Sequence, residues 1–276
     1  ALFLRTSMAT DPNKVLSGRR ILVCRPQPKA DQTCAALREA GADARPMPMI
    51  EIQPRELDGR DRSTLQDLDQ YQAVIAVSPN AAQLLLDHLD HWWPQWPIGI
   101  EWWGPGPGTA RVFEQAGLEA RSPSGGHDSE ALLNEASFDS ATITGKRILL
   151  AKGEGGRDAM VEGLQNRGAR IDTLSLYVRR VPEWPRETVE STFRGFNPDT
   201  ILALSGETLK NLLDLVQNTG AKPAECTLVV PVERVAGQAR DAGFSDVRVP
   251  TTLSSAGLVQ TCAAGTQPSG VMDTRE

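Results

Sequence analysis

The chain repeats itself, and that limits its fold more than any single motif. Arg20-Ile21-Leu22-Val23-Cys24, followed by a helical pattern ending Ala36-Leu37-Arg38-Glu39-Ala40-Gly41-Ala42, returns as Arg147-Ile148-Leu149-Leu150-Ala151 and then Gly163-Leu164-Gln165-Asn166-Arg167-Gly168-Ala169. Ile21 and Ile148 are 127 residues apart, and so are Ser78 and Ser205, which close the runs Ala73–Ser78 and Thr200–Ser205. Ala116-Gly117 matches Ala242-Gly243, and Ser129–Leu132 matches Ser255–Leu258, both after 126 residues. One length change in so long an alignment means two copies of one unit. A chain of 276 residues and 29.9 kDa has room for two ordinary cores.

Each copy alternates short apolar, β-branched runs with segments whose apolar residues recur at three-and-four spacing. Leu84-Leu85-Leu86 with Leu89, and Leu209, Leu212, Leu213 with Val216, are the clearest helical stripes. Such runs fit strands buried on both faces of a parallel sheet. The pattern predicts an α/β protein of two similar doubly wound, flavodoxin-like domains, with the stripes packed in their cores.

Two stretches interrupt this pattern at equivalent places, after the first βα unit of each copy. They are Pro46-Met47-Pro48-Met49-Ile50-Glu51-Ile52-Gln53-Pro54 and Leu174-Ser175-Leu176-Tyr177-Val178-Arg179-Arg180-Val181-Pro182. Period-two alternation between prolines means extended strands with two different faces, able to pair as a ladder joining the domains. The simple boundary falls near Gly145; the alternative exchanges the first βα units between halves. Residue patterns alone leave both open.

Composition narrows the partners. A net charge of −6 and a pI near 5.3 give no broad basic footprint, so nucleic acid is not expected, although a locally basic cleft can still attract an anion. No apolar run approaches the roughly 18 to 20 residues that span a bilayer, and Leu2-Phe3-Leu4 is too short for a signal-peptide core. Cys24, Cys34, Cys226 and Cys262 form no C-x-x-C pair and read as reduced thiols, so the expected location is the cytoplasm, with no membrane contact. Ala1–Ser7 resembles an expression remnant, and 1–17 and 265–276 are expected as flexible termini.

In open α/β sheets, ligands bind beyond the carboxyl ends of the strands, which selects the residues to inspect. Lys152-Gly153-Glu154-Gly155-Gly156-Arg157 is a strand-to-helix turn where glycines permit close approach, backbone N–H groups point outward, and Lys152 and Arg157 add positive charge. It suits an anion but is no nucleotide fingerprint, because Asp158 stands where the last glycine of G-x-G-x-x-G belongs. Gly104-Pro105-Gly106-Pro107-Gly108 reads as a rigid or ligand-facing turn before a helix starting near Thr109. Ser78 and Ser205 sit where N-caps belong, and either hydroxyl can also meet a ligand. His88, His91 and His127 give no triad and no metal site. Tyr177, one of only 2 tyrosines, is followed by Arg179-Arg180; alternation puts Arg179 on its face and Arg180 on the other. A phenol beside cations can protonate a departing hydroxyl.

In order along the chain, Arg25-Pro26, Val77-Ser78-Pro79, Gly108-Thr109-Ala110, Gly126–Leu133, Gly153–Arg157, Leu176–Arg180 and Leu204-Ser205 resemble the uroporphyrinogen-III synthase family. The resemblance runs from Gly18 to about Ala264 and implies a monomeric, cofactor-free, bilobed enzyme with exchanged first βα units. On that reading 18–46 with 183–264 form one domain, 54–173 the other, and 47–53 and 174–182 the strands between them. The family closes the linear tetrapyrrole hydroxymethylbilane, supplied by hydroxymethylbilane synthase, into uroporphyrinogen III: water leaves, a spiro intermediate inverts the last ring, and the macrocycle closes. By position the resemblance makes Tyr177 the residue that helps the hydroxyl leave. It makes Ser78, Thr109 and Ser205 hydroxyls at the cleft and the turn with Gly155, Gly156 and Arg157 a dock for anionic arms; Arg25, Lys152, Arg179 and Arg234, cations at strand ends or beside Tyr177, complete the expected substrate contacts. Val232-Glu233-Arg234 departs from the Ser/Thr-rich turn of many relatives and sets an acid near a polyanionic ligand. The competing function is a two-domain cleft protein that binds an anionic small molecule without chemistry.

Overall fold

The structure is a computed structural model describing residues 14–155, 159–221 and 223–264. Residues 1–7, expected as an expression remnant, and 265–276, expected as a flexible end, lie outside the described residues. Strands and helices alternate. The first half runs β1 (Arg20–Val23), α1 (Lys29–Glu39), β2 (Asp43–Pro46), β3 (Glu51–Pro54), α2 (Gly59–Gln66), β4 (Ala73–Ala76), α3 (Pro79–Leu89), β5 (Glu101–Trp103), α4 (Pro107–Gln115) and β6 (Ala120–Arg121). Two short helices follow, α5 (Ser129–Leu133) and α6 (Ser140–Ile143). The second half runs β7 (Arg147–Gly153), α7 (Ala159–Asn166), β8 (Arg170–Arg180), α8 (Arg186–Glu190), β9 (Thr200–Leu202), α9 (Gly206–Thr219), β10 (Thr227–Val229), α10 (Glu233–Asp241), β11 (Val247–Arg248) and α11 (Ser255–Ala263).

The strands form two sheets, ordered β11-β10-β9-β1-β2 and β3-β8-β7-β4-β5-β6. The repeat equates β1 with β7, β2 with β8, and β4, β5, β6 with β9, β10, β11. Each sheet therefore takes its first two strands from one copy and the rest from the other, and both follow the flavodoxin-like order 2-1-3-4-5. Register repeats too: Arg20 pairs with Asp43 in parallel, and Arg147 pairs with Arg170. The chain divides between Glu51 and Ile52 and between Arg179 and Arg180 into two compact units, one for each sheet.

Inside each sheet, alternate residues feed opposite layers. In β4, Val74 and Ala76 join one buried cluster while Ala73 and Ile75 join another; Leu22 of β1 and Cys24 just after it join a different cluster from Ile21 and Val23. Both faces are covered by helices, which is why these strands read as continuous apolar runs. The amphipathic stripe of α3 buries Leu85, Leu86 and Leu89, and α9 buries Leu209, Leu212 and Val216.

Four expectations need correcting. Residues 174–182 are not a separate strand: β8 starts at Arg170, where its parallel pairing with β7 begins opposite Arg147, and stays paired as far as Tyr177. Its companion strand is shorter than 47–53, since Met47 and Met49 turn into the other unit's core and β3 begins only at Glu51. The flexible N-terminus also ends before residue 17, as Leu16 is fully buried beside α1 and its N–H donates to the Ala40 carbonyl at 2.9 Å. Finally, α4 starts at Pro107 rather than near Thr109, because proline fits the first helical turn.

Candidate active site

In the unit built from residues 52–179, the order of strands reverses between β7 and β4, the place where open α/β sheets leave a crevice. Ser78 follows β4 there and caps α3: its Oγ accepts from the Ala81 N–H at 3.1 Å, and Pro79 occupies the first helical turn. The same Oγ lies 3.1 Å from the hydroxyl of Tyr177.

Tyr177 reaches this point through an irregularity in β8. Lys152 pairs with Ser175 but Gly153 pairs with Tyr177, so β8 carries one extra residue opposite the end of β7. The bulge lets the adjacent Leu176 and Tyr177 both pack into the cluster that holds Leu174, and the Tyr177 backbone carbonyl accepts from the Glu154 N–H at 2.7 Å. The phenol ring is almost fully buried.

A cavity of about 210 Å³ opens at this spot. Ser78, Tyr177, Lys152, Gly155 and Arg179 supply its polar side, and Val77, Leu150, Met160 and Val161 its apolar walls. Two cations, a capped helix N-terminus and a turn with Gly155 at φ +74° make it an anion-attracting place beside a phenol. Ser129 and Gly153 also line it. Sequence reasoning passed over Ser129 as a site residue, although it follows the helix-capping Asp128, and took Gly153 only as part of the anion-docking turn.

Among the predicted contacts, Tyr177, Ser78, Lys152, Gly155 and Arg179 therefore come together on one cavity. Gly156 and Arg157 lie outside the described residues. Thr109 belongs to the same unit but is buried in α4, and its Cβ and Cγ2 fill the space where a side chain on Gly104 would stand. Arg25, Ser205 and Arg234 belong to the other unit. Arg25 follows β1 and donates to Thr33 Oγ1 at 3.0 Å, and burial lowers its pKa. Ser205 caps α9 by accepting from the Thr208 N–H at 3.0 Å, and its hydroxyl donates to Thr208 Oγ1 at 2.8 Å. Arg234, exposed at the start of α10, shares a cavity of about 610 Å³ with Gly206, Glu207 and Lys210.

The repeat makes the two units internal controls for each other. Lys152 answers to Arg25 and Ser78 to Ser205, but Tyr177 answers to the buried, apolar Ile50 and Gly153 to Pro26. Only one of the two strand ends carries a phenol. Among the described residues, no three His, Cys, Asp or Glu side chains could hold a metal ion, and no helix is long and apolar enough to cross a membrane.

Comparison with known proteins gives the family. Residues 31–260 match the family model described as uroporphyrinogen-III synthase HemD. The uroporphyrinogen-III synthase of Salmonella typhimurium is 29% identical over 247 residues, covering 87% of this chain and 98% of the relative. That of Proteus mirabilis is 30% identical over 198 residues, covering 70% of this chain and 96% of the relative. Among solved structures, a mutant uroporphyrinogen III synthase from Thermus thermophilus superposes with a TM-score of 0.54 at 15% identity, covering 87% of this chain and 96% of its own. Uroporphyrinogen-III synthetase from Helicobacter pylori gives 0.55 at 12% identity, covering 88% and 97%; at such identities the likeness speaks for the fold alone. A match spanning most of the chain, on a doubly wound fold built twice, means that the chain belongs to the uroporphyrinogen-III synthase family, lyases of tetrapyrrole biosynthesis.

Proposed function

We propose that Tyr177 gives its phenolic proton to the departing hydroxyl of hydroxymethylbilane, while Lys152, Arg179 and the turn through Gly155 hold a carboxylate arm of the substrate beside it. The observation that carries this reading is the contact between Ser78 and Tyr177 at a cavity with two cations in its lining. A serine hydroxyl has one proton and two lone pairs. One lone pair of Ser78 Oγ takes the Ala81 N–H. If its proton goes to the Tyr177 oxygen, the phenolic proton is left free for a ligand.

Protonation lets the hydroxyl leave as water, and the phenolate that remains keeps the Ser78 hydrogen bond near the positive end of α3. The proton released when the inverted last ring is restored returns to the phenolate, so the site ends as it began. The cavity is much smaller than a tetrapyrrole, which fits a contact with one reacting end and leaves most of the substrate to other surfaces. Arg25 and Ser205, the repeat equivalents of Lys152 and Ser78, are the proposed partners for further carboxylate arms.

The same reading has the chain acting as a monomer in the cytoplasm on hydroxymethylbilane handed over by hydroxymethylbilane synthase. Free hydroxymethylbilane closes spontaneously to the type I isomer, so a short transfer favours the type III product. Isomer analysis tests the chemistry. With freshly generated hydroxymethylbilane the protein yields type III product, and Tyr177→Phe raises the type I share. An unchanged share would overturn the role given to Tyr177.

A further inference from the structure

We propose that Gly153 is a positioning residue for Tyr177: its missing side chain is the seat of the phenol ring, and the bulge in β8 delivers the ring to that seat. A Cβ built on Gly153 would lie 2.5 Å from Tyr177 Cε2, 2.8 Å from Cζ and 3.1 Å from Cδ2. Real side chains do not approach so closely, so the ring occupies the volume that any other residue at 153 would need. The two closest atoms are the carbon that bears the hydroxyl and its ring neighbour. A side chain there displaces the reacting end of the phenol rather than its root.

The register supports the same conclusion. Without the bulge, Gly153 would pair with Leu176, and Tyr177 would point to the opposite face of the sheet, since one residue of slip reverses every side chain. The extra residue and the glycine act as a pair, one turning the ring inward and the other making room for it. Gly153 is not there for its backbone freedom, because it is absent from the glycines with positive φ, whereas Gly155 two residues later is among them. In the other copy of the repeat, Pro26 and Ile50 take these places, and the equivalent hydroxyl, Ser205, donates to its own helix. Where the seat is lost, the phenol is lost with it.

This inference rests on the reading of Tyr177 as proton donor, and the test separates the two. Gly153→Ala is made in the full chain, alone and with Tyr177→Phe, and kcat and KM are measured with hydroxymethylbilane. A reacting group misplaced by about 1 Å can cost on the order of 100-fold. Gly153→Ala should therefore lower kcat at least about tenfold with KM changed less than about threefold, and should cost nothing further once the phenol is gone. An unchanged kcat, or an equal loss in the Tyr177→Phe background, overturns the proposal.

The 2 tyrosines allow a second readout, because ring-labelled protein gives one resonance for Tyr177 and one for Tyr71. Gly153→Ala should move the Tyr177 resonance and leave that of Tyr71 in place; an unmoved Tyr177 resonance overturns the seat. If Tyr177→Phe alone keeps full kcat, the proton-donor reading fails, and the resonance still decides the seat. If Gly153→Ala does not fold, Gly153→Ala with Tyr177→Ala removes the ring it would strike. Recovered folding supports the seat, and a double variant that stays unfolded overturns it.

Discussion

Ser78 Oγ and Tyr177 OH lie 3.1 Å apart, tying the capped start of α3 to the bulged end of β8. Ser205 performs the same capping on α9 without such a partner, its hydroxyl donating instead to Thr208. The two serines therefore separate capping from chemistry. Ser78→Ala and Ser205→Ala should each cost about 1 kcal/mol of stability, the usual worth of a serine cap. Ser78→Ala should lower kcat by about tenfold more than Ser205→Ala does. Denaturant melts and steady-state rates on both variants check this, and equal losses of kcat would deny the hydrogen bond a part in turnover.

Tyr177→Phe keeps the ring in its seat against Gly153 and removes only the hydroxyl. Stability should stay within about 1 kcal/mol of the parent, while kcat falls by about 100-fold, within the range general acids contribute. Thermal unfolding and initial rates measure the two effects separately. Turnover that survives would assign the tyrosine to packing.

Lys152 lines the cavity that we assign to a carboxylate arm. Added salt screens such an attraction, since the Debye length shrinks from about 10 Å at 0.1 M to about 3 Å at 1 M. KM should rise with salt in the parent and rise less steeply in Lys152→Ala. Parallel salt dependences would place the ammonium group outside substrate binding.

The opposite end of the same sheet carries a polar clamp. Tyr71 donates to Asp172 at 2.8 Å, and Arg147 bonds both, with 2.8 Å to the carboxylate and 2.9 Å to the phenol. Burial pulls the Asp172 pKa up, but the hydrogen bonds from Arg147 and Tyr71, with the Arg147 charge, outweigh it and hold the carboxyl below its ordinary value. A lowered folded-state pKa contributes stability above the unfolded value near 4, and that contribution is lost as pH falls through the folded value. Asp172→Asn should cost about 1 kcal/mol at neutral pH, discounted for a partly exposed pair, and should flatten the acid limb of stability. Asp246, lowered by its hydrogen bond from Arg248, would keep part of that limb. An acid limb as steep as the parent's would refute the assignment, and catalysis far from the clamp should stay near parental.

The repeat made much of this architecture legible in the sequence, because two buried parallel sheets write the same apolar runs twice. Offset alone could not say which copy's β1-type strand joins which sheet; Arg20 and Arg147 begin near-identical runs, and only distant pairing partners, Thr200 for Ile21 and Ala73 for Ile148, distinguish them. Tyr177 stood out through rarity and through Arg179 beside it. Gly153 did not, since a glycine that yields volume to a ring looks the same in sequence as one that turns the chain. The bulge was equally hidden, because Leu174, Ser175 and Leu176 alternate regularly up to the point where the backbone inserts a residue. Leu16 shows no period beyond its neighbour Val15, though one fully buried leucine is enough to fix the segment before β1.

The exchange of strands between the two sheets also fixes an order of events during synthesis. Ile21 pairs with Thr200, so β1 and β2 leave the ribosome long before the central strand that completes their sheet exists. In the other sheet, Ala73 must wait for Ile148. The sheet that starts first is thus the one that finishes last, and the nascent β1-β2 pair carries an open, apolar flank throughout. Such long-range closure slows folding and leaves edges exposed to wrong partners. Early folding therefore belongs to the inserted unit, and damage to the β1–β9 seam should reduce yield before it reduces activity.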